Sequence, residues 1–272
     1  MDKYLVLGNP IGHSLSPSIH KMFAQQTNVQ MIYDKQLVPL DEFNNCVDEF
    51  VEKGVKGFNV TLPFKGEAFA KTASVDGNAA ASMAVNTIKV DEESKLRGFN
   101  TDGIGLVRDL IDRLGLILPN SRILVLGAGG AARGIIGSLL GNLPSRIVIA
   151  NRTVAKAEKL VSLFRDSNQR VPLGWTNLKS LNDDFDLIIN TTSVGLEGKF
   201  DLIDEQVVRN KICYDLSYGV NAVFVSWARN CGASKATDGL GMLVEQAAES
   251  FFIWHGIRPK TQHVFDLLRS SH

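Results

Sequence analysis

Cysteine is scarce in this chain. Cys46, Cys213 and Cys231 are the three among 272 residues, odd in number and far apart, and no CxxC pair occurs. That excludes a disulfide framework and points to a reducing compartment with ordinary thiols. Charge of one sign is not in excess either. Lysine plus arginine and aspartate plus glutamate each number 29, so no global basic field gathers nucleic acid or an anionic membrane. Long hydrophobic runs are missing: the first apolar stretch, Tyr4 to Leu7, stops at Gly8-Asn9-Pro10, too short for a secretion signal or a bilayer span. The histidines His13, His20, His255, His263 and His272 show no metal-ligand spacing, and no HExxH occurs. These absences lead us to expect a cytoplasmic chain that uses no metal, no nucleic acid and no membrane.

What remains is an ordinary globular balance of 44% hydrophobic and 21% charged residues, long enough for one large or two modest domains. There is no internal repeat. Short apolar runs alternate with longer helical stretches, which predicts α/β architecture. Tyr4–Leu7, Met31–Leu37, Phe58–Val60, Val85–Val90 and Leu96–Phe99 read as strands of a first lobe. Pro17–Gln26 and Asp41–Lys53 read as its first helices, with Ser16 and Asp41 as caps. From about residue 104 a second series follows, Ile123–Leu126, Ile147–Ala150, Leu187–Ile189 and Ile212–Tyr214, apolar throughout like parallel strands buried on both faces. Ala131–Leu140 and Val154–Phe164 lie between them with helical spacing. The helical stretches Met242–Trp254 and Thr261–Arg269 close the chain and are expected to pack back onto the first lobe.

The run Ile123–Leu126 delivers the chain into Gly127-Ala128-Gly129-Gly130-Ala131-Ala132, and a helical stretch follows at once. Glycine at 127 suits a tight turn, Gly129 clears the backbone for a pyrophosphate, and small Ala132 lets helix and strand pack closely. The helix N-terminus then offers unsatisfied N–H groups and a partial positive charge to phosphate. An NAD site would carry an acid about 20 residues further on, at the end of the next strand. Here that end reads Ala150-Asn151-Arg152-Thr153, with Lys156 one turn beyond, so cations stand where a carboxylate would, and NADP is favoured over NAD.

Three segments of the first lobe set compact polar groups behind apolar runs: Asn59-Val-Thr61-Leu-Pro63-Phe-Lys65, Val85-Asn86-Thr87 and Asn100-Thr101-Asp102-Gly103. Strand ends of open α/β sheets are where ligands bind, and Asn and Thr suit a polyhydroxylated one. Ser14 and Ser16, beside Pro17 at a helix start, suit a carboxylate. Reduction of a ketone needs a donor for the developing alkoxide; Lys65 can supply it, with Asp102 to orient it.

Taken together, Gly8-Asn-Pro-Ile-Gly-His-Ser14-Leu-Ser16-Pro17, Asn59-Val-Thr61-Leu-Pro-Phe-Lys65, Ala84-Val-Asn86-Thr87, Asn100-Thr-Asp102-Gly103, Gly127 to Ala131, Asn151-Arg-Thr153, Asn190-Thr-Thr-Ser193 and Asp238-Gly-Leu-Gly-Met-Leu-Val-Glu-Gln246 resemble the shikimate dehydrogenases in order and spacing over nearly the whole chain. The resemblance implies a substrate domain over 1–103 completed by helices in 241–272, and a Rossmann-type doubly wound dinucleotide domain over 104–240. It implies NADPH-dependent, reversible reduction of 3-dehydroshikimate to shikimate, a step of chorismate and aromatic amino acid biosynthesis, by a monomer or homodimer. Carried over, Lys65 and Asp102 are the catalytic pair. Ser14 and Ser16 bind the carboxylate with Tyr218 nearby, and Thr61, Asn86, Asp102 and Gln246 hold the hydroxyls. Gly127, Ala128, Gly129, Gly130, Ala131, Asn151, Arg152, Thr153 and Lys156 hold NADP, with Leu216 and Gly239 bordering the nicotinamide.

The chain departs from the family pattern in places. Met83 stands where glycine usually precedes Ala84-Val85-Asn86-Thr87, and methionine resists the positive φ that glycine allows. Ala73-Ser74 replaces a commonly acidic stretch, and Gly219-Val-Asn-Ala-Val lacks the frequent Thr-Pro. Two alternatives stay open at this point: a quinate/shikimate dehydrogenase using NAD, which would want an acid near residue 151, and a non-catalytic metabolite sensor, which would want a broken Lys65–Asp102 pair.

Overall fold

The strands fall into two six-stranded sheets, and the computed structural model describes residues 1–165, 170–181, 184–194 and 200–271. His272 lies outside the described residues. The first sheet is built from β1 (Asp2–Gly8), β2 (Met31–Leu37), β3 (Val55–Val60), β4 (Ser74–Val75), β5 (Thr87–Val90) and β6 (Leu96–Phe99), in the order β2-β1-β3-β5-β6-β4. β1 pairs in parallel with β2 and β3, while β5 runs antiparallel to both β3 and β6. Around it lie α1 (Ser16–Thr27), α2 (Phe43–Glu52), α3 (Lys65–Lys71), α4 (Gly77–Ser82) and the start of α5 (Asp102–Arg108).

The period-2 geometry of β1 accounts for its two buried faces. Leu5 and Leu7 join Phe43, Val47, Phe58, Phe64 and Ile88 in one apolar cluster, whereas Tyr4 and Val6 face the opposite way onto Tyr33 and Trp254. Trp254 belongs to α9 (Leu240–His255), and its indole N–H donates to the Ile88 carbonyl at 3.0 Å. By its contacts, Val244–Ser271, which includes α10 (Gln262–Ser271), joins Met1–Gly105 in one compact unit, and Leu106–Leu243 forms the other.

The second unit holds β7 (Arg122–Leu126), α6 (Gly130–Gly141), β8 (Arg146–Asn151), α7 (Val154–Arg165), β9 (Leu173–Asn177), β10 (Leu187–Asn190), β11 (Ile212–Asp215), α8 (Val223–Asn230) and β12 (Lys235–Thr237). All its pairings are parallel, in the order β12-β11-β10-β7-β8-β9. That is the doubly wound arrangement, and its order reverses between β7 and β10, where ligands of such sheets bind.

Two capping expectations are corrected. Ser16 is the first residue of α1 rather than its cap; Leu15 occupies the cap position, and the hydroxyl of Ser14 accepts from the Ser16 N–H at 3.3 Å. The helix begins one residue earlier because Pro17, lacking an N–H, costs nothing anywhere in the first turn. Asp41 does not cap α2 either. Buried Phe43 anchors that start, and its cap residue, Glu42, turns its carboxylate to the Asn45 amide at 2.8 Å.

Candidate active site

In the first unit the polar segments meet at one place. Lys65 opens α3 and Asp102 opens α5, where a carboxylate is favoured by the helix dipole. Lys65 Nζ donates to Asp102 Oδ2 at 2.5 Å, and both side chains keep some exposure. Asn86 Nδ2 donates to the other oxygen, Asp102 Oδ1, at 2.7 Å, to Thr101 Oγ1 at 3.0 Å and more distantly to Gln246 Oε1 at 3.5 Å. The Thr101 N–H in turn donates to Asn86 Oδ1 at 2.9 Å, which fixes which way the Asn86 amide points. Lys65, Asn86, Asp102 and Gln246 are therefore linked side chain to side chain.

A second layer that the sequence reading did not assign stands behind them. Tyr33 donates to Asn59 Oδ1 at 2.7 Å; Asn59 Nδ2 donates to Ser250 Oγ at 3.0 Å and Thr87 Oγ1 at 3.1 Å; and Thr87 Oγ1 donates to Asn86 Oδ1 at 3.0 Å. Burial raises the Tyr33 pKa well above its ordinary value, so the hydroxyl stays a neutral donor. The signals were present: Asn59 shares a strand face with Thr61, and Ser250 lies one helical turn after Gln246. Each net hydrogen bond of this kind contributes about 1 kcal/mol, and each broken partner costs more because the groups are buried.

Of the other first-unit residues, Thr61 stands two positions after Asn59, and the Ser16 side chain hydrogen-bonds Tyr33. Thr61 follows β3 and its N–H donates to the Leu7 carbonyl at 2.9 Å; Ser14 is half-buried and Ser16 buried at the start of α1. Tyr218 stands in the second unit beyond β11, half-buried, its pKa raised by burial.

The dinucleotide loop forms the turn from β7 into α6. Gly127 has φ +103°, and a Cβ there would lie 2.6 Å from Thr191 Oγ1, so only glycine fits. A cavity of about 310 Å³ opens over it, lined by Gly127, Ala128, Gly129, Asn151, Arg152, Thr153 and Lys156 on one side and by Thr191, Thr192, Ser193 and Val194 on the other. Gly130 and Ala131 form the first turn of α6. Arg152, just past β8, and Lys156, in the first turn of α7, are exposed cations, and Asn151 Nδ2 donates to the Thr153 carbonyl at 2.8 Å, stiffening that corner. Leu178 and Leu202, which the sequence reading did not assign, add an apolar wall. Gly239 sits so close to Leu216 that a Cβ would meet the Leu216 carbonyl oxygen at 2.3 Å. Among the described residues no group of three or more His, Cys, Asp or Glu could hold a metal ion.

A glycine turn at the switch point of an all-parallel doubly wound sheet, together with a linked lysine–carboxylate–amide site on a second α/β unit, defines the class of nicotinamide-dinucleotide oxidoreductases. Comparison with known proteins narrows the class. The shikimate dehydrogenase substrate binding domain matches residues 6–88, shikimate / quinate 5-dehydrogenase matches 111–197, and the shikimate 5′-dehydrogenase C-terminal domain matches 239–267. A shikimate dehydrogenase (NADP(+)) of Marinobacter nauticus is 45% identical over 272 residues, covering 99% of each chain. Among solved structures, an Ael1 enzyme from Pseudomonas putida aligns with TM-score 0.91 at 40% identity over 98% of each chain. Shikimate 5-dehydrogenase from Thermus thermophilus, in complex with NADP(H) and shikimate, aligns with TM-score 0.87 at 30% identity over 100% of each. The chain belongs to the shikimate dehydrogenase family.

Proposed function

We propose that the chain catalyses the reversible NADPH-dependent reduction of 3-dehydroshikimate to shikimate, on the route to chorismate and the aromatic amino acids. The observation that carries this reading is the joined set Lys65–Asp102–Asn86, with Gln246 at its edge. An ammonium has three N–H donors, and Asp102 engages one of them, leaving the others for a substrate oxygen. Bound NADPH supplies the hydride to the ketone carbon. Lys65 donates a proton to the ketone oxygen as it becomes an alkoxide, and takes it back in the reverse direction. Asp102 aims the ammonium and, with Asn86, Thr61 and Gln246, accepts from and donates to the ring hydroxyls. Ser14 and Ser16 hold the carboxylate by their hydroxyls, with Tyr218 beside it.

The cofactor fit rests on Gly127 to Ala131 for the pyrophosphate, on Asn151, Arg152, Thr153 and Lys156 for the 2′-phosphate, and on Leu216 and Gly239 for the nicotinamide. Arg152 pairs with phosphate in a geometry lysine cannot copy, and no acid at the end of β8 competes for it. Residues 1–103 with the helices of 241–272 act as the substrate domain and 104–240 as the NADP domain. The chain works in the cytoplasm as a monomer or homodimer, with neither nucleic acid nor membrane as a partner. Zero formal net charge supports the nucleic-acid part of this reading, since no global basic field gathers a polyanion.

Lys65→Ala tests the chemical assignment. Loss of the proton donor lowers kcat by about 10²–10⁴-fold while shikimate affinity changes far less. Near-normal turnover in that variant, or a loss confined to KM, contradicts the role given to Lys65.

A further inference from the structure

One wall of the second unit's cavity is made by Thr191, Thr192 and Ser193, and the groups that hold this wall lie beneath it. Asn190 closes β10 and Asp215 closes β11, each only 1% exposed. Asn190 Nδ2 donates to Asp215 Oδ1 at 3.2 Å, and the Ser217 N–H donates to the same oxygen at 3.0 Å. With its NH₂ turned to a carboxylate, the Asn190 amide presents Oδ1 to Thr192, which donates its N–H at 3.1 Å and its hydroxyl at 2.7 Å. Thr191 is pinned alongside, its N–H and hydroxyl donating to the carbonyl of Leu126, the residue before Gly127, at 2.9 and 2.8 Å. A buried carboxylate thus sets an amide, and the amide sets the loop that faces the glycine turn.

We propose that Asp215 is the positioning residue of this wall: as a carboxylate it fixes the Asn190 amide and the Thr191–Ser193 loop in the form that binds the dinucleotide, and on taking up a proton it releases that loop and weakens binding. The inference rests on reading the cavity as the NADP site.

Four groups hydrogen-bond the Asp215 carboxyl, three of them N–H donors and the fourth a hydroxyl that can donate or accept. These are Asn190 Nδ2 from β10, the backbone N–H and hydroxyl of Ser217, and the backbone N–H of Phe224 from α8. None of these four partners carries a charge. The nearby acid Asp238, beyond β12, accepts from the N–H groups of Gly219 and Leu240. Three N–H donors fit an ionised carboxylate, and in this set only the Ser217 hydroxyl could accept a carboxylic acid's O–H, by turning its own proton away. Burial opposes the charge and pushes Asp215 up to about 6, with the hydrogen bonds drawing it back down. The carboxyl therefore changes charge inside the working range of a folded protein, and the change falls on an amide whose orientation depends on it.

The test is NADP⁺ binding by titration calorimetry, on the intact chain and on Asp215→Asn, from about pH 8 to about pH 5.5. The ligand's own phosphate titrates near pH 6, so the variant's profile serves as the reference. The variant is expected to bind about tenfold more weakly at the upper end, with the two curves converging as the pH falls. Equal affinity at the upper end, or a ratio constant over the range, overturns the proposal. Failure of the unaltered chain to bind NADP⁺ at any pH overturns instead the reading of the cavity.

A second measurement needs no variant. The Asp215 carboxyl carbon, followed by NMR, titrates near its raised value of about 6, and saturating NADP⁺ lowers that midpoint by about one pH unit, the reciprocal of a tenfold preference for the ionised form. An anion acting through its charge alone raises the midpoint. A midpoint raised or unmoved contradicts the proposal.

Discussion

A side chain larger than hydrogen in the left-handed region carries a steric cost of about 1–2 kcal/mol, and Met83 carries it at the end of α4 with φ +47°. Methionine here has not abolished the turn; the backbone keeps the conformation a glycine would take, and Ala84 to Asn86 follow in place. Met83→Gly removes the cost but adds unfolded-chain freedom, for a net gain of about 0.5–1 kcal/mol. Calorimetry is expected to show Tm higher by about 1–3 °C, and an unchanged or lower Tm counts against strain at this residue. The candidate residues that the fold joins could be singled out in the sequence because their chemistry is concentrated. Lys65, Asn86 and Asp102 stand in three short polar segments, and the fold joins them by hydrogen bonds. Thr87 stood in one of those segments, but Tyr33 and Ser250 were not legible, because a hydroxyl inside an apolar run carries no mark of the partner it will meet across the sheet.

At the scale of elements, the strands with continuous apolar runs were readable; of the edge strands, β2 was read over Met31–Leu37, whereas β4, β9 and β12 were not. β7, β8, β10 and β11 are interior strands with side chains buried on both faces of the sheet, which calls for Val, Ile and Leu along most of their length. β9 and β12 are sheet edges, β4 has two residues, and none of these requires an apolar run. α1 shows the opposite case, a polar residue turned inward. His20 is fully buried, stacked on Tyr33 with ring centroids 4.2 Å apart, and its pKa is pushed down to about 3, chiefly by burial, with His255 adding to this and Asn59 opposing it. The folded value lies below the unfolded one of about 6.5, so between the two the unfolded chain binds the extra proton and stability rises with pH. That stability is whole above about pH 6.5 and drains as the pH falls, by about 2 kcal/mol at about pH 5. Urea unfolding of the parent chain and of His20→Phe is expected to show the parent losing that much more between about pH 7 and about pH 5. Parallel losses in the two proteins show that His20 is not the buried neutral group described.

For the whole molecule, the balance of charge and the two α/β units describe an enzyme that recognises its ligands locally rather than by a global field. Under the proposed function, cofactor choice is the clearest instance, turning on a few atoms just past the end of β8. Cations at Arg152 and Lys156 favour a 2′-phosphate, while an NAD site would place a carboxylate there. The most direct measurement follows the absorbance of the reduced nicotinamide with purified protein, offering shikimate or quinate, each with NADP⁺ or NAD⁺. The expected result is rapid reduction of NADP⁺ by shikimate, with kcat/KM at least about a hundredfold above that for NAD⁺. No turnover of shikimate with either cofactor, or a clear preference for NAD⁺, contradicts the assignment of the reaction or of Arg152.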